Sequence, residues 1–191
     1  MSFLNPPRKI IAVDMDEVIA DALGEHLSRY NRDFPPVPGD PHFPSPLTRS
    51  DLHGRRLWQA VPASRHAALD AYFRNEDFFR HLAVLPDAPR VLLRLQSRYD
   101  IFIASAAMEV PSSFTAKFDW LAEHFPFIPT SRIVFCGDKS ILRADFLIDD
   151  NTRQLAAFHG EGILFTSPAN IHETAYRRVN NWQEVETLFL P

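Results

Sequence analysis

In the stretch IIAVDMDEVIADAL, residues 10–23, an apolar run ends on two carboxylates one residue apart, Asp14 and Asp16. Burying one carboxylate is costly, and a second one close by repels the first. Either the run stops in solvent, or a cation neutralises the pair. Three further apolar runs end in polar groups: Ser105 follows DIFIA, Asp138 and Lys139 follow IVFCG, and Asp149 and Asp150 follow FLI. These residue types make a set suited to phosphoryl transfer. A carboxylate can attack phosphorus to give an aspartyl-phosphate. A second carboxyl two residues on points the same way along an extended segment, where it can protonate a leaving oxygen and then activate water. A lysine and a hydroxyl supply donors to phosphoryl oxygens as charge builds. Several carboxylates at one place suit Mg²⁺, which takes one or two carboxylates, a carbonyl, waters and a substrate phosphate.

Residues so far apart in sequence meet only if the runs are neighbouring strands of a parallel sheet, where ligands gather outside the carboxyl ends. The patterning supports this. Lys9–Val13, Asp100–Ala104, Ile133–Phe135, Asp145–Ile148 and Gly162–Phe165 read as short buried strands. Helical spacing covers Val18–Tyr30, with Ile19, Leu23 and Leu27 on one stripe, and recurs over Ala88–Ser97, Pro111–Phe125, Asn151–Phe158 and Trp182–Phe189. Strands alternating with helices predict an α/β fold, a Rossmann-like parallel sheet flanked by helices. Between the first strand and the rest, Thr48–Ala60 and Ala63–Arg74 look helical, residues 34–46 carry six prolines, and no strand is convincing. The expected division is an α/β core of residues 1–21 and 86–191, with a small helical cap, residues 22–85, inserted after the first strand.

The totals exclude several classes. Across 191 residues, 46% are hydrophobic and 23% charged, ordinary values for a globular chain. A net charge of -4 offers no electrostatic footprint for a nucleic-acid polymer. No apolar run approaches the ~20 residues of a membrane span, so no membrane partner is expected. The single cysteine, Cys136, permits no internal disulfide and fits a reducing compartment, which with the absence of a signal peptide predicts a cytoplasmic location. Cys136 itself reads as a small core residue. The eight histidines form no HxH or HxxxH pair, so zinc is not expected, and His26 reads as a surface or packing residue. Arg49, Arg55 and Arg56 read as a solvated helix face.

DMDEV after a buried strand, Ser105 after the second, Lys139, and IDDN resemble the four motifs of the haloacid dehalogenase-like superfamily. The likeness extends further: NEDFFRHLAVLPDAPRVLLRL, YDIFIASA, AKFDWLAEHF and RIVFCGDKSILRADFLIDDN are similar in order and spacing to the 5′(3′)-deoxyribonucleotidases. It covers most of residues 75–155 and the first motif, and is loose over residues 22–74. The resemblance implies Asp14 as nucleophile and Mg²⁺ ligand, and Asp16 as acid/base giving its backbone carbonyl to the metal. It further implies Ser105, Lys117 and Lys139 as phosphate-binding residues, Asp149 as the third protein ligand and Asp150 as its support. Two departures stand out. Glu17 occupies a position where many relatives carry Gly or Thr, and is expected to face the cap entrance. Ser105-Ala106-Ala107 replaces the usual Thr-Ser-Pro and lacks one hydroxyl.

The cap is aromatic, and Phe43 and Trp58, near breaks in its helical pattern, are the expected substrate contacts beside Glu17, since nucleobases stack on such rings. The expected activity is therefore a Mg²⁺-dependent phosphomonoester hydrolase acting on nucleoside monophosphates. The alternatives are a phosphatase of another small metabolite such as a sugar phosphate, and a non-catalytic phosphate-binding relative. The oligomeric state stays open, a homodimer among the options.

Overall fold

A computed structural model gives the fold and describes residues 7–37, 39 and 45–190, with Glu76 described in its backbone alone. Six parallel strands form one sheet: β1 (Ile10–Val13), β2 (Asp100–Ser105), β3 (Ile133–Phe135), β4 (Phe146–Asp149), β5 (Glu161–Phe165) and β6 (Arg177–Val179), in the order β3-β2-β1-β4-β5-β6. The chain builds outward from β1 to β3, then returns to place β4 on the other flank of β1. That reversal opens a crevice at the carboxyl ends, the usual ligand position of such sheets. Register makes those ends level. Val13 pairs with both Ile103 and Ile148, so Asp14, Ser105 and Asp149 all fall at the rim. The Asp14 N–H still donates to Ile148 O at 2.9 Å, which extends the ladder into the first carboxylate.

Side-chain alternation along the strands supplies two core layers. Ile11, Val13, Ile101, Ile103, Ile148 and Ile163 pack on one face with Trp120, Trp182 and Val185. Ala12, Ala104, Leu147 and Leu164 pack on the other with Leu155 and Phe158. Both faces are buried, which is why these strands read as continuous apolar runs. The flanking helices are α5 (Ala88–Leu95), α6 (Phe114–His124), α7 (Thr152–Ala157) and α8 (Trp182–Phe189). Asn151 caps α7 by accepting from Arg153 N–H, and Asn181 caps α8 by accepting from Glu184 N–H.

Between β1 and β2 lie α1 (Ala22–Asp33), α2 (Leu57–Ala60), α3 (His66–Arg74) and α4 (Glu76–Arg80), joined by short 3₁₀ turns. Two expectations need correcting. The helix predicted from Val18 starts at Ala22, because residues 15–20 form a tight turn in which Met15 O accepts from Ile19 N–H and Ala20 N–H. Val18 and Ile19 are fully buried in that turn, so their helical spacing was coincidental. Thr48–Ala60 is likewise broken, into a 3₁₀ turn (Arg49–Leu52) and α2, with Gly54 between them at φ 71°. The described part of the proline-rich stretch carries no helix, as expected.

Candidate active site

The rim residues converge. Lys139, fully buried after β3, places Nζ 2.6 Å from Asp149 Oδ2 and also on Asp14 Oδ1, so one ammonium joins the ends of β1 and β4. Lys117, buried on α6, places Nζ on Asp16 Oδ2 and donates to Ser105 Oγ at 3.1 Å. The second Asp149 oxygen accepts from Asn151 N–H at 2.8 Å, where the chain turns into α7. Asp14, Asp16, Ser105, Lys117, Lys139, Asp149 and Asp150 thus occupy one place, drawn from β2, β4, α6, and the loops after β1, β3 and β4.

The electrostatics are crowded. Asp14, Asp149 and Asp150 each offer a carboxylate oxygen within 4.8 Å of the others. Burial, then repulsion from Asp149 and Asp16, pushes the Asp14 carboxyl up to about 7 against the pull of Lys139. Burial and the neighbouring Asp149 and Asp14 raise Asp150 as well. At Lys139, burial works to lower the ammonium, yet Asp14 and Asp149 outweigh it and hold it above the usual lysine value. With all three ionised, three carboxylates face one ammonium, an excess that a dication would cancel. Asp16 Oδ1 is buried without a hydrogen-bond partner among the described residues. Hard oxygen donors, excess negative charge and an unpartnered carboxylate oxygen fit Mg²⁺. Asp150, given a supporting place by the resemblance, here contributes an oxygen to the cluster itself.

Above this polar floor lies a cavity of about 500 Å³, walled by Trp58, Phe73, Phe79, Leu52 and His26, with Arg55 and Arg56 among its lining residues. Trp58, an expected contact, does line it, stacked on Phe73 at 5.6 Å and 12° with its indole N–H donating to Asp70 Oδ1 at 2.9 Å. Phe43 lies outside the described residues. Glu17 also lines the cavity but does not hang free in it. Its carboxylate accepts from Leu23 N–H at 2.7 Å and from Arg49 Nη1 at 2.9 Å, and burial, opposed by Arg49, raises it. Arg49, read from sequence as part of a solvated face, is partly exposed and held between Glu17 and Asp21.

Two participants were not legible. Gln154 is buried, accepts from Lys139 N–H at 3.0 Å and donates to Gly137 O at 3.1 Å, tying the Lys139 loop to α7. Its position three residues beyond the Asn151 cap was the one available hint. His26 is buried among Trp58, Tyr72, Phe73 and Phe78, with Nε2 3.1 Å from Leu69 O. Nothing in a lone histidine on α1 distinguishes that setting.

Comparison with known proteins gives the family and the fold. Residues 8–191 match the family described as 5′ nucleotidase, deoxy (Pyrimidine), cytosolic type C protein. A Staphylococcus aureus chain, provisionally named 5′(3′)-deoxyribonucleotidase, is 44% identical over 183 residues, 96% of each chain. The 5′(3′)-deoxyribonucleotidase of Bacillus subtilis is 35% identical over 184 residues, covering 96% of this chain and 99% of its own. Among solved structures, a haloacid dehalogenase family hydrolase from Deinococcus radiodurans, with bound phosphate and sodium, superposes at TM-score 0.60 and 13% identity over 98% of this chain and all of its own. A hydrolase of that family from Bacillus subtilis, bound to magnesium, does so at 0.55 and 13% over 96% and 99%. At such identities these two speak for the fold.

Proposed function

This chain belongs to the cytosolic type C deoxy(pyrimidine) 5′-nucleotidase family, and from that premise we propose that it hydrolyses deoxyribonucleoside monophosphates with Mg²⁺ through an aspartyl-phosphate on Asp14. Phosphoric monoester hydrolysis comes with the family. The finer reading rests on one observation: Asp14, Lys139 and Asp149, from three separate strand ends, meet on the floor of a cavity walled by Trp58, Phe73 and Phe79.

An Asp14 oxygen attacks phosphorus as the ester P–O bond breaks, and Asp16 gives the departing alkoxide its proton. Asp16 then takes a proton from the water that attacks the same phosphorus, freeing inorganic phosphate and restoring Asp14. The Lys117 pairing holds the Asp16 carboxylate in place for both transfers. Ser105, Lys117 and Lys139 donate to the phosphoryl oxygens, where preorganised donors contribute most. Asp14, Asp149, Asp150 and the Asp16 backbone carbonyl would hold the Mg²⁺, which when bound neutralises charge on the transferring group. Residues 22–85 serve as the cap, and the Trp58–Phe73 wall stacks on the base of the leaving nucleoside. A cavity of about 500 Å³ suits a ligand of that size.

The test is phosphate release from a panel of deoxyribonucleotides, ribonucleotides and sugar phosphates, with Mg²⁺ and with EDTA, for wild type and Asp14→Asn. Deoxyribonucleotides should be turned over best, and EDTA or the substitution should each abolish release. Equal turnover of sugar phosphates would remove the nucleotide assignment while leaving the phosphatase one.

A further inference from the structure

We propose that Arg49 is a positioning residue for this site: through Glu17 it fixes the loop that carries Asp16 to the segment lining the cavity. The inference rests on the hydrolase reading above. Glu17 directly follows Asp16 and has φ 62°, one of two described non-glycine residues in the left-handed region. A residue with a Cβ is disfavoured there and stays only where its surroundings over-determine it.

The restraints are visible. Glu17 N–H donates to Ala20 O at 2.8 Å, and its carboxylate accepts from Leu23 N–H and from Arg49. The other Arg49 terminal nitrogen contacts Asp21 Oδ1, the atom that also accepts from Gly24 N–H at the start of α1. One guanidinium therefore grips both ends of the Glu17–Asp21 loop. Its fork suits two carboxylates in a way that a point charge cannot.

Arg49 arrives from about thirty residues away, in a turn closed within itself at one end and tied to a distant segment at the other. Thr48 N–H donates to Asp51 Oδ2 at 2.8 Å, and Gly54 N–H donates to Pro168 O at 2.8 Å, in the segment after β5. The same stretch supplies Leu52, Leu57 and Trp58 to the cavity wall. Arg49 thus joins the wall to the catalytic loop by charge. Without it, a carboxylate that is only 15% exposed loses its counter-charge, and the left-handed turn loses one of its restraints. Displacing Asp16 by about 1 Å would slow the chemistry roughly 100-fold without a change in substrate contacts.

The experiment measures kcat and KM for a deoxyribonucleoside monophosphate and for p-nitrophenyl phosphate, per folded protein, in wild type, Arg49→Met, Arg49→Lys, Glu17→Gln and Glu17→Gln/Arg49→Met. Arg49→Met should lower kcat by about 10–100-fold on both substrates, with KM within about threefold. Arg49→Lys should recover part of the loss. The double variant should be no more than about twofold slower than Arg49→Met, well short of the product of the single losses. A wild-type kcat in Arg49→Met, or losses that multiply, would overturn the proposal. Should Arg49→Met fail to fold, Arg49→Lys with and without Glu17→Gln reads the same coupling. A wild type that releases no phosphate sinks the hydrolase reading and this inference with it, whereas an active wild type indifferent to Arg49 sinks this inference alone.

Discussion

The Lys139 ammonium donates to Asp149 Oδ2 at 2.6 Å with both side chains 1% exposed, and the same nitrogen contacts Asp14. Removing one member of such a group leaves the others buried and unpaired, at a typical cost of about 3–5 kcal/mol. Lys139→Met should therefore lower metal-free stability by about that amount in urea unfolding. It should also slow phosphate release by about 10²–10³-fold, since a preorganised donor is lost from the transition state. Unchanged unfolding would mean that the ammonium contributes nothing to folding.

Asp16 is paired with Lys117 and keeps one buried oxygen without a partner among the described residues. Asp16→Asn should slow nucleotide hydrolysis by about 10²–10⁴-fold, because an alkoxide needs a proton to leave. p-Nitrophenolate does not. With that leaving group the first step should survive and the second stall, giving a burst of nitrophenolate equal to the enzyme present. Equal slowing of both substrates without a burst would remove the acid role.

Strand ends carried most of what could be read beforehand, since a carboxylate or lysine after an apolar run is conspicuous in sequence. Trp182–Phe189 matches its expected bounds because burial on one side leaves a clean helical period, and Ile133–Phe135 matches because it is a short apolar run between polar residues. β6 is not legible in sequence: Arg177-Arg178-Val179 is an edge strand whose pairing, not its patterning, defines it. α4 is hidden in the same way, five residues being too few for a period to stand out. The role of Arg49 is not legible in sequence because its partners, Glu17 and Asp21, lie far from it along the chain.

His26 gives a pH dependence of definite sign. Burial among aromatic rings lowers its imidazole to about 4, outweighing the help of Leu69 O. The unfolded chain, with the ordinary value near 6.5, takes up the proton first as pH falls. The stabilisation is whole above about pH 6.5 and is lost as pH drops toward 4, by about 3 kcal/mol in all. His26→Leu lacks this titration. The stability of wild type minus that of the variant should therefore shrink by about 3 kcal/mol between pH 7 and pH 4, in paired urea melts. A difference independent of pH would place the imidazole in water.

Metal binding can be read without turnover. Asp14, Asp149 and Asp150 crowd three carboxylate oxygens within 4.8 Å, and Lys139 alone does not balance them. Mg²⁺ should therefore bind the folded chain and not the unfolded one, and stabilise it by about 2.7 kcal/mol at a hundred times its dissociation constant. Asp149→Asn removes a charge from the centre of the cluster and should abolish the Mg²⁺-induced rise in melting temperature. Asp150→Asn separates two placements of that residue. If Asp150 only supports Asp149, binding should weaken by about 10–100-fold and remain measurable at higher Mg²⁺. If its oxygen ligates directly, as its place in the cluster favours, the rise should vanish as it does for Asp149→Asn. A wild-type melt indifferent to Mg²⁺ would mean that the protein tolerates the carboxylate crowding by protonation, with Asp14 and Asp150 the groups raised toward it.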